Sequence, residues 1–516
     1  MTDWMQELAS HYEKMRTRYP EDKLLIVFDI DGTILDMRHM MLRLLQQYDR
    51  SHGTEFFHHA VTSDIKVHEG QVDQLLEDLQ VAPENREKVR NWYVEHFWLP
   101  FSIFEAHSPY HGVLDVIRWF QLQANTFVGL NTGRPERLRP QTLAFLNRLG
   151  KEYRVRFEDD LLYMNPSSEA KGVTESKASG IAQFVRRGFR VVAFVDNEPE
   201  NLKAVSETDC LQEILLLHAE TIFRSKRAHI PAGAVGGRHY DLAGLMSSAP
   251  LPSHVQFVWR WSDRSKDVAL FLRSNIHWAE VRVRLLSPAD RIVLRGEGPE
   301  DGPVAGNGRS ERVDEVLAIL ASRQKGVKLD LQEGGRAVHA VLETLAGCGF
   351  GDDVVWFNGN VERIGEQGFR AIRNAYPGAI VQCPVDFMAP IVIGEPRKAK
   401  EIFDVFTGWG VNRFSISWMT PDKRSLFDQM DRWDFDVNIY DVPNLEAFLQ
   451  AVLLLPRSIT SDFDLSRWYN RLGSAAGPAA APAAGFGSSE YDAAAPPRSG
   501  FLPSSEAAER SVQPGR

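Results

Sequence analysis

The chain has 516 residues, 43% of them hydrophobic and 25% charged, and a net charge of -10. That length exceeds what one core holds and implies two or three domains, while the acidic balance excludes a general nucleic-acid binder, which needs clustered basic charge to displace counterions. Cys210, Cys348 and Cys383 are too few and too scattered for a disulfide framework or a zinc knuckle, so the chain reads as cytoplasmic.

The opening stretch, MTDWMQELASHYEKMRTRYPEDK, is charged and amphipathic and lacks the apolar centre of a signal peptide. No apolar run approaches the roughly 18 residues needed to cross a membrane, so no membrane span is expected. Next comes Leu24 to Thr33, LLIVFDIDGT. Unbroken apolar residues suit a strand buried on both faces of a parallel sheet. Asp29 and Asp31 then fall at its carboxyl end, where open α/β sheets bind ligands. Two carboxylates and a Gly there suggest phosphoryl transfer: Asp29 attacks phosphorus, Asp31 moves protons, and Gly32 lets the backbone turn around a phosphate oxygen.

From Asp36 to about His111, apolar residues recur at helical spacing (Met37, Met40, Met41, Leu44, Leu45; Val72, Leu75, Leu76; then Glu84 to Phe97 behind Pro83). This predicts a helical insert over the strand ends, a substrate-gating cap. Its histidines, His52, His58, His59 and His68, lack the spacing of a metal helix. A helix over Gly112–Gln121 leads to a strand, Thr126–Leu130, ending in Asn131-Thr132-Gly133-Arg134, where a hydroxyl and backbone N–H groups suit a phosphate oxygen. Lys177, opening a helix predicted over Ala178–Arg187, is preferred to Lys171 as the ammonium reaching the anionic site. Strand Arg190–Val195 runs into Asp196-Asn197-Glu198-Pro199-Glu200, hard oxygen ligands suited to Mg²⁺; Asp196 is the direct ligand, with Glu198 or Glu200 orienting metal waters. Strand Glu213–Leu217 continues the sheet.

The ordered set DIDGT, LNTGRP, Lys177 and FVDNEPEN resembles the four motifs of the haloacid dehalogenase superfamily, over about Asp22 to Leu245, and the insert resembles its C1 cap. The resemblance implies a doubly wound α/β domain with Asp29 as nucleophile and metal ligand and Asp31 as acid/base with its backbone carbonyl on Mg²⁺. It further implies Thr132, Gly133 and Lys177 on the phosphoryl group and Asp196 as second carboxylate ligand.

After a small polar junction, Ser247-Ser248-Ala249-Pro250, strands and helices alternate from Val255 to Leu454, which predicts a (β/α)₈ barrel. The stretches HVQFVWRWSD, SNIHWAEVRV, KGVKLDLQ, VVWFNGN and YPGAIVQC resemble the menorin family, among the phospholipase-C-like phosphodiesterase barrels that include the glycerophosphodiester phosphodiesterases. In those barrels two His and an ExD pair carry the chemistry. Here Trp261 and Arg295 stand at the His positions and Glu280 with Arg282 at the acidic pair, while Lys328, Asp330 and Asn358 persist. Losing both imidazoles and gaining fixed cations predicts a degenerate phosphodiesterase site. It leaves either an anion-binding pocket or buried salt bridges. The tail, 473–516, is rich in Ala, Pro, Gly and Ser and is expected to be disordered.

The sequence thus predicts a hydrolase domain over 1–248 with a cap at about 36–111, a barrel over 249–472, and a tail. The function expected is a Mg²⁺-dependent phosphatase for a phosphorylated small molecule. The alternatives are a two-activity enzyme and a ligand-binding scaffold with a vestigial phosphatase fold.

Overall fold

The computed structural model describes residues 3–99, 108–166, 172–209, 211–221, 230–246, 252, 254–260, 264–286, 291–294 and 313–461. Lys171, Cys210, Trp261, Arg295, the Gly-rich stretch 297–310, the 247–251 junction and the tail lie outside them.

Strand β1 (Lys23–Phe28) is buried at every position but its first. Its period of two sends Leu24, Ile26 and Phe28 into one apolar cluster and Leu25 and Val27 into another, so both faces are covered. Two short strands, β2 (Leu35–Asp36) and β3 (Ser108–Pro109), pair antiparallel at the base of the cap. Then follow β4 (Thr126–Pro135), β5 (Leu162–Asn165), β6 (Phe189–Asp196), β7 (Leu215–Ala219) and β8 (Val235–Gly237). The sheet runs β5-β4-β1-β6-β7-β8, parallel throughout. The chain fills one side of β1 through β4 and β5, then returns to the other side at β6. The carboxyl ends of β1, β4 and β6 thus surround the point where winding reverses.

The second sheet closes on itself. Strands β9 (Gln256–Arg260), β10 (Trp278–Leu286), β12 (Gly326–Leu331), β13 (Val355–Gly359), β14 (Ile380–Pro384), β15 (Arg413–Ser417), β16 (Val437–Val442) and β17 (Ser458–Ser461) pair parallel in that order, and β17 returns to β9. This is the expected eight-stranded barrel. The apolar stretch Ile292–Leu294 is not a stave: β11 (Arg291–Leu294) pairs antiparallel with β10 as the outer arm of a hairpin. The eighth stave is β17.

Both sheets belong to one compact unit, Met1–Ala475. At their contact, buried Asp115 accepts from Gln450 Nε2 (3.1 Å) and lies 3.5 Å from Arg424 Nη2. Arg118 Nε donates to the Leu453 carbonyl (3.3 Å) and Arg154 Nη1 to the Leu454 carbonyl (2.7 Å), while Arg154 also pairs with Asp431. Among the described residues no helix is long and apolar enough to cross a membrane.

Candidate active site

Asp29 leaves β1 with its backbone N–H bonded to the Val195 carbonyl of β6 (2.9 Å), which fixes where its side chain emerges. The turn behind it is held by two distant hydroxyls: Thr221 donates to the Gly32 carbonyl (2.6 Å) and Tyr240 to the Thr33 carbonyl (2.9 Å). Gly32 takes φ +80°, and a Cβ there would stand 2.4 Å from the Asn197 side chain, so both conformation and space require glycine.

Lys177 joins the motifs. Its helix begins at Val173, five residues before the predicted Ala178, because Gly172 in the left-handed region starts the turn there. Lys177 therefore points inward from the second turn. Its Nζ donates to Asp29 Oδ1 (2.5 Å), Asp196 Oδ2 (2.8 Å) and the Asn131 carbonyl (2.7 Å). Burial alone would lower the Lys177 pKa, but Asp196 and Asp29 raise it above the ordinary lysine value, so it remains an ammonium. Burial also dominates at Asp29: with Asp196 and Asp31 nearby it outweighs Lys177 and lifts the carboxyl to about 8.

Arg134, fully buried, makes a fork to Asp31, Nε to Oδ2 at 2.7 Å and Nη2 to Oδ1 at 2.6 Å. Its backbone N–H donates to Thr132 Oγ1 (3.2 Å). Asp196 Oδ1 accepts from the Glu198 N–H (2.8 Å) and Asn201 Nδ2 (3.1 Å). With its amide nitrogen facing the acceptors, Asn197 donates to Asp29 Oδ2 (3.3 Å) and the Asp31 carbonyl (3.1 Å).

Three oxygens, Asp29 Oδ2, the Asp31 carbonyl and Asp196 Oδ1, are thus held by neutral N–H or O–H donors rather than by cationic side chains. This all-oxygen set fits a hard divalent cation, and the Asn197 N–H already marks a place where positive charge is favoured. Among the described residues no three His, Cys, Asp or Glu side chains form a ready-made cage. Lys177 and Arg134 engage the carboxylates, and one donor of the set is main-chain.

The cap completes the chamber. A cavity of about 430 Å³ has Asp29, Asp31, Thr132, Gly133 and Lys177 on its core side and His68, Glu69, Tyr93, Phe97 and Trp98 from the insert. Glu198 and Glu200 line it as well, and Glu198 Oε1 stands 3.3 Å from His68 Nε2. Burial, with Asp31 close by, lifts the Glu69 carboxyl to about 8.

In the barrel, period-two alternation sends Val327, Leu329 and Leu331 toward the helices and Lys328 and Asp330 toward the axis. There Glu280 pairs with Arg260 (2.5 Å) and Lys328 (2.7 Å). Asp330 takes Arg282 Nε (3.0 Å) and Asn358 Nδ2 (2.8 Å), and Asn438 accepts from Ser458 (2.8 Å). Burial would raise Glu280, but Arg260 and Lys328 hold it down at about 2. Every described candidate in the barrel is therefore tied to a neighbour of matching chemistry.

Two kinds of solved structure match the chain. One is a phosphodiesterase of Oleispira antarctica, solved with the product sn-glycerol-3-phosphate: 13% identity, 44% of this chain and 96% of that one, TM-score 0.32. The other kind includes a haloacid dehalogenase-like hydrolase of Streptococcus pneumoniae (14% identity, 44% and 90%, TM-score 0.26). It also includes a HAD-superfamily hydrolase of Geobacter sulfurreducens (13%, 42% and 92%, TM-score 0.26). No protein-family model and no curated protein matches. The open sheet with its helical cap and the closed barrel are the two architectures that the sequence resemblances imply.

Asp29, Asp31, Thr132, Gly133 and Lys177 line one cavity, and Asp196 adjoins it through Lys177. Arg134, Asn197, Glu69 and the aromatic wall were not singled out. Arg134 and Asn197 lie inside the quoted motifs, so their signal was present; Glu69 and Trp98 carry none, since only the cap's placement makes them part of the chamber.

Proposed function

We propose that the chain is a phosphoester hydrolase, specifically a divalent-cation-dependent phosphomonoesterase acting on a small phosphorylated molecule through an aspartyl-phosphate on Asp29. The observation that carries this reading is the Lys177 ammonium bridging Asp29 and Asp196 at the floor of a capped cavity. Asp29 is aimed by β1 and kept from rotating by Lys177. Its carboxylate attacks phosphorus and displaces the alcohol. Water then hydrolyses the acyl phosphate and regenerates the carboxylate, so one hard step becomes two easier ones. Thr132 and the Gly133 backbone receive the phosphoryl oxygens, and Lys177 offsets their charge. Asp31 stands beside the leaving group, and one of its two Arg134 bonds opens when it passes a proton. Asp29, the Asp31 carbonyl and Asp196 would hold Mg²⁺, which supplies charge neutralisation at phosphorus when bound. Glu198 and Glu200 remain the candidates for its outer waters.

In this reading the barrel has no chemistry of its own, because its interior charges are compensated by one another. The test is a phosphate-release screen of phosphorylated metabolites with purified chain and Mg²⁺. Activity expected in the parent chain should vanish in Asp29→Asn. Turnover unchanged in that variant rules out the mechanism.

A further inference from the structure

We propose, building on the phosphomonoesterase reading, that the substrate's alcohol is a compact organic cation, an ammonium-bearing alcohol seated between Glu69 and the aromatic wall of the cap. The wall is continuous: the Tyr93 and Phe97 rings lie 5.3 Å apart and tilted, and the Phe97 and Trp98 rings 4.7 Å apart and edge-on. All three line the same cavity as Asp29 and Lys177.

The charges lining the chamber differ in how they are engaged. On the floor Lys177 is engaged by Asp29 and Asp196, and Arg134 by Asp31. The rest of the charged lining is Glu69, Glu198 and Glu200, with His68 the one basic group among these described residues. Glu69 Oε2 is buried and accepts no hydrogen bond; His68 Nε2 stands 3.2 Å away without alignment. A leaving group bearing a carboxylate or second phosphate would meet acids there. A neutral alkyl group would satisfy the rings and leave Glu69 unmet. An ammonium answers both: its charge favours loss of the buried Glu69 proton and then faces the carboxylate, while its carbon substituents pack on ring faces. The volume suits such a small ester with its phosphate on the floor.

The test uses the full chain and two probes of equal shape, choline and its uncharged counterpart 3,3-dimethylbutan-1-ol, measured by calorimetry at about pH 9, where Glu69 has given up its proton. Choline should bind roughly tenfold more tightly, and Glu69→Gln, of equal size and checked by thermal melting, should erase the difference. Equal binding of the two probes, or a preference that survives Glu69→Gln, overturns the proposal. Hydrolysis of phosphocholine and 3,3-dimethylbutyl phosphate with Mg²⁺ separates this proposal from the reading beneath it. Faster turnover of phosphocholine through a lower KM supports both. Equal, Asp29-dependent turnover of the two esters leaves the phosphatase standing and removes the cation preference. If neither ester is hydrolysed but choline binds through Glu69, the cation site stands and the hydrolase reading falls.

Discussion

Lys177 neutralises two carboxylates at once, and that double duty makes its replacement costly in two ways. Lys177→Ala leaves Asp29 and Asp196 facing each other in a buried site, a change expected to destabilise the chain by about 3–5 kcal/mol and to lower phosphate release on the order of a thousandfold. Lys171→Ala should leave both within error, and the reverse order would reassign the phosphate-binding cation. Arg134 is the complementary case. Lysine lacks the planar fork, so Arg134→Lys should keep the fold and lower kcat by about ten- to a hundredfold with little effect on KM. A change confined to KM would make Arg134 a substrate-binding group instead. Glu69 brings a pH signature. When folded it keeps its proton up to about 8, against an ordinary value of 4.5 when unfolded, so the folded chain holds an extra proton across that window. Its stabilising contribution is complete below the lower value and lost as pH rises to the upper one. Melting temperature of cation-free protein should therefore fall across that window more steeply than in Glu69→Gln; parallel curves would refute the assignment.

At the scale of elements, what could be read from the sequence was what local pattern encodes. LLIVFDIDGT and RVVAFVD are near-continuous apolar runs broken by acids, so the strands and the placing of Asp29 and Asp196 at their ends were legible. The polar staves were harder: in β17, Ser-Ile-Thr-Ser offers a single aliphatic residue, because its inward side chains join a hydrogen-bonded barrel interior rather than an apolar core. Conversely β11 has the composition of a stave but lies on an antiparallel arm, a distinction set by pairing and invisible to periodicity. The helix of Lys177 began early because a left-handed glycine, not the apolar period, sets its start. The importance of β17 is testable. Chain ending at Leu455 removes the strand that joins β16 to β9 and should be insoluble or unfolded by circular dichroism, whereas chain ending at Ala475 should melt as the full protein does. Equal stability of the two would mean that the barrel closes without its eighth stave.

Across the whole molecule, two sequence expectations meet a structural fact. The hydrolase and barrel regions were expected to be separate domains, and each does surround its own sheet. Yet buried Asp115 is met by Arg424 and Gln450 of the barrel, contacts that no local pattern announces. A fragment covering 1–248 is accordingly expected to melt several degrees below the intact chain while keeping the same phosphatase specificity; an unchanged melting temperature would make the contact energetically idle. Loss of the His positions to Trp261 and Arg295 gives the other expectation at this scale. Asp29→Asn chain should show no divalent-dependent cleavage of glycerophosphodiesters, and clear turnover there would restore the two-activity alternative.

The carbonyls of Leu453 and Leu454, gripped by Arg118 and Arg154, lie only a few residues before the strand that seals the barrel. The first half thus holds the latch of the second. A lesion that springs the seal will be inherited as a defect in the distant nucleophile's output, and a genetic screen for lost phosphatase should return barrel alleles whose proteins are scarce in the cell rather than slow.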